Sequence, residues 1–173
     1  MSNVSNVPVP KVTLPDGARI LKGDRAIEGV KVIPLRRIPD ERGTIFHMLR
    51  RTDSHFMEFG EIYFSTVVKD AVKGWHRHRD MTLHYACMSG RVKCVVFDDR
   101  VGSPTRGVVM EIFLGPDSYH LLVVPPETWN GFKGLAAESV VANACTHPHD
   151  PARSSRLDPY VNEIPYDWAR KDH

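Results

Sequence analysis

The chain has 173 residues, of which 42% are hydrophobic and 25% charged, and this size and composition are those of a single globular domain. Its formal net charge of +2 excludes a strong electrostatic attraction to nucleic acid or to an anionic membrane, so a small-molecule partner is expected. No window approaches the length of a membrane span, and the N-terminus lacks the apolar core of a signal peptide, so we expect a cytoplasmic protein.

Short strands separated by polar turns account for most of the chain. Residues 1–28 are expected to form an arm and an edge strand. From there to residue 150, alternating or β-branched runs predict strands at Gly29–Leu35, Thr44–Leu49, Glu61–Lys69, Leu83–Met88, Arg91–Asp98, Gly107–Leu114, Tyr119–Val124 and Glu138–Cys145. The intervening segments carry the glycine, proline, aspartate or serine that turns require, and no long amphipathic helix interrupts the series. We therefore predict an all-β sandwich or barrel over residues 29–150, and an irregular tail over 151–173 that wraps over it.

The stretch Val72–Gly90 concentrates the residues capable of chemistry. His76 and His78 are separated by one residue, so on a strand both imidazoles point to the same side. His84 follows after a turn, and the sequence leaves open whether its ring points to the same place. Two histidines on one face of a strand predict a pocket that contains titratable rings.

A histidine pair on a strand, followed by glycine-bounded strands, is the layout of a cupin, a small β-barrel whose inward histidines bind a metal or act as acid and base. The metal-binding form adds a glutamate after the pair and a second histidine after a proline-led turn. Here Thr82–His84 stands where the glutamate is expected, and Asn130 stands where the second histidine is expected. Imidazole and carboxylate are much better ligands than an amide, so a metal site built from His76, His78 and His84 is the alternative, not the main, hypothesis.

Several segments carry a closer resemblance, to the dTDP-4-dehydrorhamnose 3,5-epimerase family. They include the DERG turn (Asp40–Gly43), KGWH (Lys73–His76), Ser89–Gly90 with the following VKCVVFDDR, PPETWNGF (Pro125–Phe132) and LDPYVNEIPYDW (Leu157–Trp168), and their order and spacing extend the resemblance from Gly29 to Trp168. The resemblance implies a cupin jelly-roll barrel, a homodimer, and an enzyme that epimerises a nucleotide-linked 4-keto-6-deoxy sugar in polysaccharide or glycoconjugate biosynthesis without a cofactor.

The resemblance also implies roles for particular residues. The keto group acidifies the neighbouring ring protons, so that a base near neutral pKa can remove one, and His76 matches the family's general base. The family tyrosine that acts as second acid has no counterpart after Cys145, so His147 or His149 is expected to substitute. The aspartate that orients the base is expected to be Asp167 or Asp172.

The residues expected to contact the substrate are Arg42, Lys73, His78, Trp129 and Asn130. Several family positions differ here, so the sequence leaves open whether C3, C5 or both carbons are inverted. It also leaves two rivals to the epimerase hypothesis. One is a metal-dependent cupin enzyme that uses the His76, His78 and His84 cluster, and the other is a family member that binds a sugar nucleotide without catalysis.

Overall fold

A computed structural model describes residues 14–171 of the chain. Over this range the chain forms β1 (Ala18–Lys22), β2 (Lys31–Pro34), β3 (Arg37–Asp40), β4 (Gly43–Phe46), β5 (Glu61–Val68), β6 (Val72–His78), β7 (Leu83–Ser89), β8 (Val92–Phe97), β9 (Val109–Leu114), β10 (His120–Val124), β11 (Trp129–Gly134), β12 (Glu138–Cys145) and β13 (Ser154–Arg156), with a 3-10 turn at Pro151–Arg153. The predicted all-β class is confirmed.

Two antiparallel sheets face each other. The six-stranded sheet has the order β1-β9-β8-β11-β6-β13, and the five-stranded sheet has the order β2-β10-β7-β12-β5, while β3 and β4 form a separate hairpin. The main core lies between the two large sheets and consists of side chains that alternate inward along each strand, such as Cys94 and Val96 of β8 and Met110 and Ile112 of β9. This arrangement confirms the predicted cupin jelly roll.

The outer face of the six-stranded sheet carries a second hydrophobic cluster. Trp75 of β6 and Val95 of β8 point outward, and Ile164 and Trp168 from the C-terminal tail cover them. The Trp75 and Trp168 rings lie 4.9 Å apart between centroids, and both residues are almost completely buried. Ile164 and Trp168 therefore attach the tail to the side of the six-stranded sheet opposite the main core.

The central strand β11 was not expected, because its segment Trp129–Gly134 carries the asparagine and glycines that are typical of a turn. It pairs with β8 on one side and β6 on the other. Gly131 of β11 lies against Gly74 of β6 so closely that a Cβ atom on Gly131 would be 2.9 Å from the Cα of Gly74. Glycine is required here for the close approach of two backbones, and not for a turn.

The ends of the chain differ in part from the predicted outline. Ala18–Lys22 is an edge strand that pairs with β9, inside the region expected to form an arm and an edge strand. In the tail, Ser154–Arg156 adds a short strand beside β6, which the polar sequence did not predict. The expected arm over Met1–Lys11 lies outside the described residues.

Candidate active site

A cavity of about 330 Å³ opens between the two large sheets. Its lining includes His76 and His78 of β6 and Arg156 of β13 on one wall, and Glu61, Tyr63 and Tyr85 of β5 and β7 on the other. The cavity therefore combines imidazole, guanidinium, carboxylate and phenol groups in a volume suited to part of a small polar ligand.

His76 lies where β6 is held by both of its neighbours. It is paired with Asn130 of β11 and with Arg156 of β13. The Asn130 side chain donates from Nδ2 to the His76 carbonyl at 3.1 Å, and its Oδ1 accepts from the Tyr85 hydroxyl at 3.1 Å. Asn130 is buried, so these bonds tie the backbone of His76 to both sheets. In this structure the Asn130 amide therefore binds protein groups on both sides.

A register irregularity between β6 and β11 decides which β6 side chains face the cavity. In this antiparallel pair, His76 lies opposite Asn130 and Lys73 lies opposite Phe132. The two positions are three residues apart on β6 but only two residues apart on β11. Lys73 thereby turns toward β5, where its Nζ donates to the Ser65 hydroxyl at 2.8 Å. The structure thus brings the expected cation Lys73 to the same side of β6 as the expected base His76.

The His76 imidazole is unprotonated at neutral pH. Burial lowers its pKa to about 4, and the positive charge of Arg156 acts in the same direction, as do His78, His149 and Lys73. The ring is therefore neutral at pH 7. A neutral imidazole is the form that a general base requires.

The other histidines divide between the main cavity and a neighbouring one. Burial, followed by the charges of His149 and Arg156, lowers the pKa of His78, which lines both cavities. His149 lies in the main cavity with its ring centroid 6.3 Å from that of His78. His147 lines the neighbouring cavity of about 180 Å³, and its Nδ1 is 3.0 Å from the Thr146 hydroxyl. Of the two expected substitutes for the family tyrosine, it is His149 that shares the cavity with His76.

Trp129, expected to contact the substrate, points away from the cavity. It belongs to the outer cluster with Trp75, and its Nε1 donates to Asp99 Oδ2 at 3.0 Å. The Arg77 guanidinium lies over its ring, 4.5 Å from the centroid. Because side chains alternate along β11, the inward position of Asn130 places its neighbour Trp129 on the outer face.

Asp167, expected to orient His76, also lies on the outer side of the sheet. It is exposed between Tyr166 and Trp168, and its Oδ1 accepts a hydrogen bond from Ala169 N at 2.8 Å. The structure therefore does not bring Asp167 to the cavity lining, and it gives this carboxylate a local role in a turn of the tail. Asp172, the other expected orienting residue, lies outside the described residues.

Arg42, expected to contact the substrate, lies at the tip of the β3–β4 hairpin. Its guanidinium pairs with Asp40 at 2.7 Å, and its side chain is 82% exposed. The hairpin belongs to neither of the two sheets that form the cavity. Within one chain, Arg42 is therefore separate from the His76 site.

The alternative metal ligands His76, His78 and His84 do not converge. Tyr85 of β7 faces the cavity, so its neighbour His84 faces the opposite side of the five-stranded sheet, where its Nδ1 is 2.9 Å from the Ala144 carbonyl. Among residues 14–171, no group of three or more histidine, cysteine, aspartate or glutamate side chains has an arrangement that could hold a metal ion. Side chains alternate between the two faces of β7, and the sequence left open which face His84 takes. The structure shows that it lies outside the pocket.

Two tyrosines that the sequence argument did not select line the cavity. Tyr63 lies on β5, and its oxygen accepts a hydrogen bond from Asn143 Nδ2 at 2.9 Å, while Tyr85 donates to Asn130. The alternation Glu61, Tyr63, Ser65 along the predicted strand was the available signal, since it puts three polar side chains on one face.

In the part of the chain that the structure describes, no helix has the length and hydropathy to cross a membrane.

Comparison with known proteins gives concordant matches. Residues 24–173 match the sequence profile of the family described as dTDP-4-dehydrorhamnose 3,5-epimerase. The solved structure of a dTDP sugar isomerase from Desulfovibrio desulfuricans G20 is 41% identical with a TM-score of 0.82, over 84% of this chain and 94% of that one. The probable low-salt glycan biosynthesis epimerase Agl13 of Haloferax volcanii is 31% identical over 144 residues, 82% of this chain and 89% of the relative. The spore coat polysaccharide biosynthesis protein SpsL of Bacillus subtilis is 28% identical over 109 residues, 63% of this chain and 72% of the relative.

Proposed function

The chain belongs to the dTDP-4-dehydrorhamnose 3,5-epimerase family, and on that premise we propose that it epimerises a nucleotide-linked 4-keto-6-deoxy sugar. The observation that carries the proposal is the His76 imidazole, which burial keeps neutral in a cavity that also contains the Arg156 guanidinium. A neutral base beside a fixed cation is what removal of a proton next to a carbonyl requires.

In the proposed reaction, His76 removes the proton from the ring carbon next to the 4-keto group. The electron pair of the broken C–H bond moves toward the carbonyl and forms an enolate. A second acid then returns a proton to the same carbon from the opposite face, which inverts the centre and restores the ketone. The reaction uses side chains alone and requires no cofactor.

Arg156 is the residue we assign to the enolate oxygen. It is paired with His76 across the β13–β6 ladder, and its charge lowers the pKa of His76 on one wall and opposes the raised pKa of Tyr63 on the other. A guanidinium whose field reaches both walls stabilises negative charge that develops between them.

Lys73 and His78 are proposed to contact the rest of the substrate. The Lys73 ammonium lies on the His76 side of β6, and its hydrogen bond to Ser65 leaves further N–H groups for a phosphate oxygen. A nucleotide-linked sugar carries a diphosphate, so a cation beside the cavity matches its charge.

Because the relatives Agl13 and SpsL are named for glycan and polysaccharide biosynthesis, we propose that this chain acts in a pathway of that class, in the cytoplasm.

The outer face of β5 supports the proposed homodimer. Ile62, Phe64 and Val68 point outward from this strand and are 49%, 63% and 56% exposed. Within residues 14–171, β5 is also the last strand of its sheet, so in this part of the chain both its apolar face and its strand edge have no partner strand. A second copy packed on this face would cover both features.

Light scattering on the purified protein tests the dimer. Phe64→Asp is expected to reduce the mass to that of a monomer, because it buries a charge in the proposed interface. Val101→Asp is the matched control, since Val101 is 88% exposed elsewhere on the surface, and it should leave the mass unchanged. A dimer that persists in Phe64→Asp would place the interface on another face.

Deuterium incorporation from heavy water tests the catalytic function. The protein is incubated with dTDP-4-keto-6-deoxyglucose, and incorporation at C3 and C5 is followed by NMR. Incorporation at one or both carbons is the expected result, and it also decides between a single and a double epimerase. Tight binding without incorporation at either carbon would contradict the epimerase and favour a sugar-nucleotide binder.

A further inference from the structure

The proposed reaction leaves the second proton donor to be identified. We propose that Tyr63, held in place by Asn143, is the acid that returns the proton to the face of the sugar opposite His76. This inference rests on the proposed epimerase function and deepens it. It assigns a catalytic role to Tyr63, which the sequence motifs did not select, in place of the expected histidines.

The position of Tyr63 fits an acid that acts from the opposite side. His76 projects into the cavity from β6 of the six-stranded sheet, and Tyr63 projects into it from β5 of the five-stranded sheet. A flat sugar ring between the two walls would present one face to the imidazole and the other to the phenol. Inversion at a carbon needs this placement of base and acid on opposite faces.

The hydrogen bonds around Asn143 determine the direction of the Tyr63 hydroxyl. Asn143 is fully buried on β12, and its Oδ1 accepts from the backbone N–H of His84 at 3.2 Å. Its Nδ2 therefore faces Tyr63 and donates to the phenol oxygen at 2.9 Å. Because an amide nitrogen cannot accept, the Tyr63 hydrogen is directed elsewhere, and the side of the ring that Asn143 leaves open is the cavity.

Tyr85 provides the contrasting case in the same cavity. The Asn130 amide is oriented in the reverse sense, since its Nδ2 donates to the His76 carbonyl and its Oδ1 faces Tyr85. The Tyr85 hydroxyl consequently donates its hydrogen to Asn130. One phenol proton is committed to the protein and the other is available, and only the available one can be given to a substrate.

The step is balanced without any additional reactant. The enolate double bond supplies the electron pair of the new C–H bond, the Tyr63 O–H bond breaks, and the C4 carbonyl re-forms. Tyr63 is left as a phenolate near the Arg156 charge, and His76 carries the proton that it removed. Both groups return to their resting forms by proton exchange with water through the open side of the cavity, where Tyr63 is 44% exposed.

Two further observations support Tyr63. Burial raises the pKa of this phenol, with the Asn143 hydrogen bond opposing the effect, so the hydroxyl is protonated at neutral pH. His149, the other candidate in the cavity, has its ring centroid 6.3 Å from that of His78 and is therefore next to β6, the strand that carries His76. A proton delivered from the side of β6 would return to the face from which it was removed.

The test compares deuterium incorporation with inversion in Tyr63→Phe. In heavy water, His76 still removes the proton and returns deuterium to the same face. We expect incorporation within about tenfold of wild type and a loss of inverted product of at least about hundredfold, in line with the contribution of a general acid. Incorporation is read by mass spectrometry, and inversion by the coupling constants of the ring protons.

Two further variants make the outcome specific. The control, Tyr119→Phe, changes a buried tyrosine outside the cavity and should leave both rates unchanged. His149→Asn removes the rival acid in the cavity, and whatever its effect on the overall rate, the product that it forms should still be inverted. Inversion in Tyr63→Phe within threefold of wild type, or loss of inversion confined to His149→Asn, would overturn the assignment. Wild-type protein that shows no incorporation at all would instead contradict the epimerase function itself, so the two failures are distinguishable.

Discussion

Neighbouring residues on strand β6 serve two different regions of the molecule. His76 faces a cavity that opens between the sheets, and its pKa is displaced to about 4. Trp75, one residue earlier, faces the outer side, where Trp168 of the tail buries it completely. The inner face is polar and accessible to a ligand, whereas the outer face is apolar and closed. Proximity in sequence to the base is therefore no indication of membership of the site.

The largest expected effect is on the inner face. His76→Asn replaces the base by a group of similar size that cannot accept a proton at neutral pH. We expect deuterium incorporation to fall by about 10²–10⁴-fold, the usual contribution of general base catalysis. The unfolding midpoint should stay close to that of wild type, because the His76 ring makes no hydrogen bond to another residue within 14–171. Wild-type incorporation in this variant would refute the assignment of His76.

Truncation of a side chain on the outer face is expected to lower the stability of the protein. Trp168→Ala removes a large side chain that is 1% exposed, and truncations of this kind cost about 3–5 kcal/mol of unfolding free energy. Urea denaturation measures this loss, with Tyr160→Ala as the control. Tyr160 is 66% exposed on the same tail, so its truncation should change stability by no more than about 0.5 kcal/mol. Equal losses in both variants would mean that the tail does not anchor through Trp168.

The pH dependence of the reaction should reflect the inner face. The active form of His76 is neutral, and its folded-state pKa is lowered, so the ring loses activity by protonation only as pH falls toward about 4. An ordinary histidine would lose activity through about pH 6.5. The acidic limb of kcat/KM measures the difference, with circular dichroism at each pH to establish that the protein is folded.

The variant Arg156→Gln tests, by the same measurement, how far the Arg156 charge lowers the pKa of His76. Burial is the largest cause of the lowered pKa, and the Arg156 charge is the next. Removal of that charge should move the acidic limb to higher pH without restoring the ordinary value, because burial remains. A limb that does not move would show that the guanidinium is too distant from His76 to serve the enolate oxygen.

The strands were more predictable than the two faces. Alternation and β-branched residues predicted β5 and β12 almost to the residue, since both follow the local pattern of a half-buried strand. The motif-based reading of Trp129 failed for a physical reason: which residues of β11 face inward depends on its register with β6, and that register contains an irregularity. The alternation along β5 could have predicted that Tyr63 faces inward. The proposed role of Tyr63 as an acid, however, depends on a hydrogen bond from Asn143, which is eighty residues away in sequence.

The smallest expected effect concerns the residue that resemblance placed beside the base. Asp167→Asn removes the charge while retaining an oxygen that can accept from Ala169 N, so the turn of the tail should persist. We expect deuterium incorporation within about twofold of wild type, and a change in unfolding free energy within about 0.5 kcal/mol. His76 needs no carboxylate partner to stay neutral, because burial and neighbouring positive charge already disfavour its protonated form. A hundredfold loss of incorporation would instead mean that this carboxylate acts on the imidazole, and the separation of the two faces of β6 would then not hold in the working enzyme.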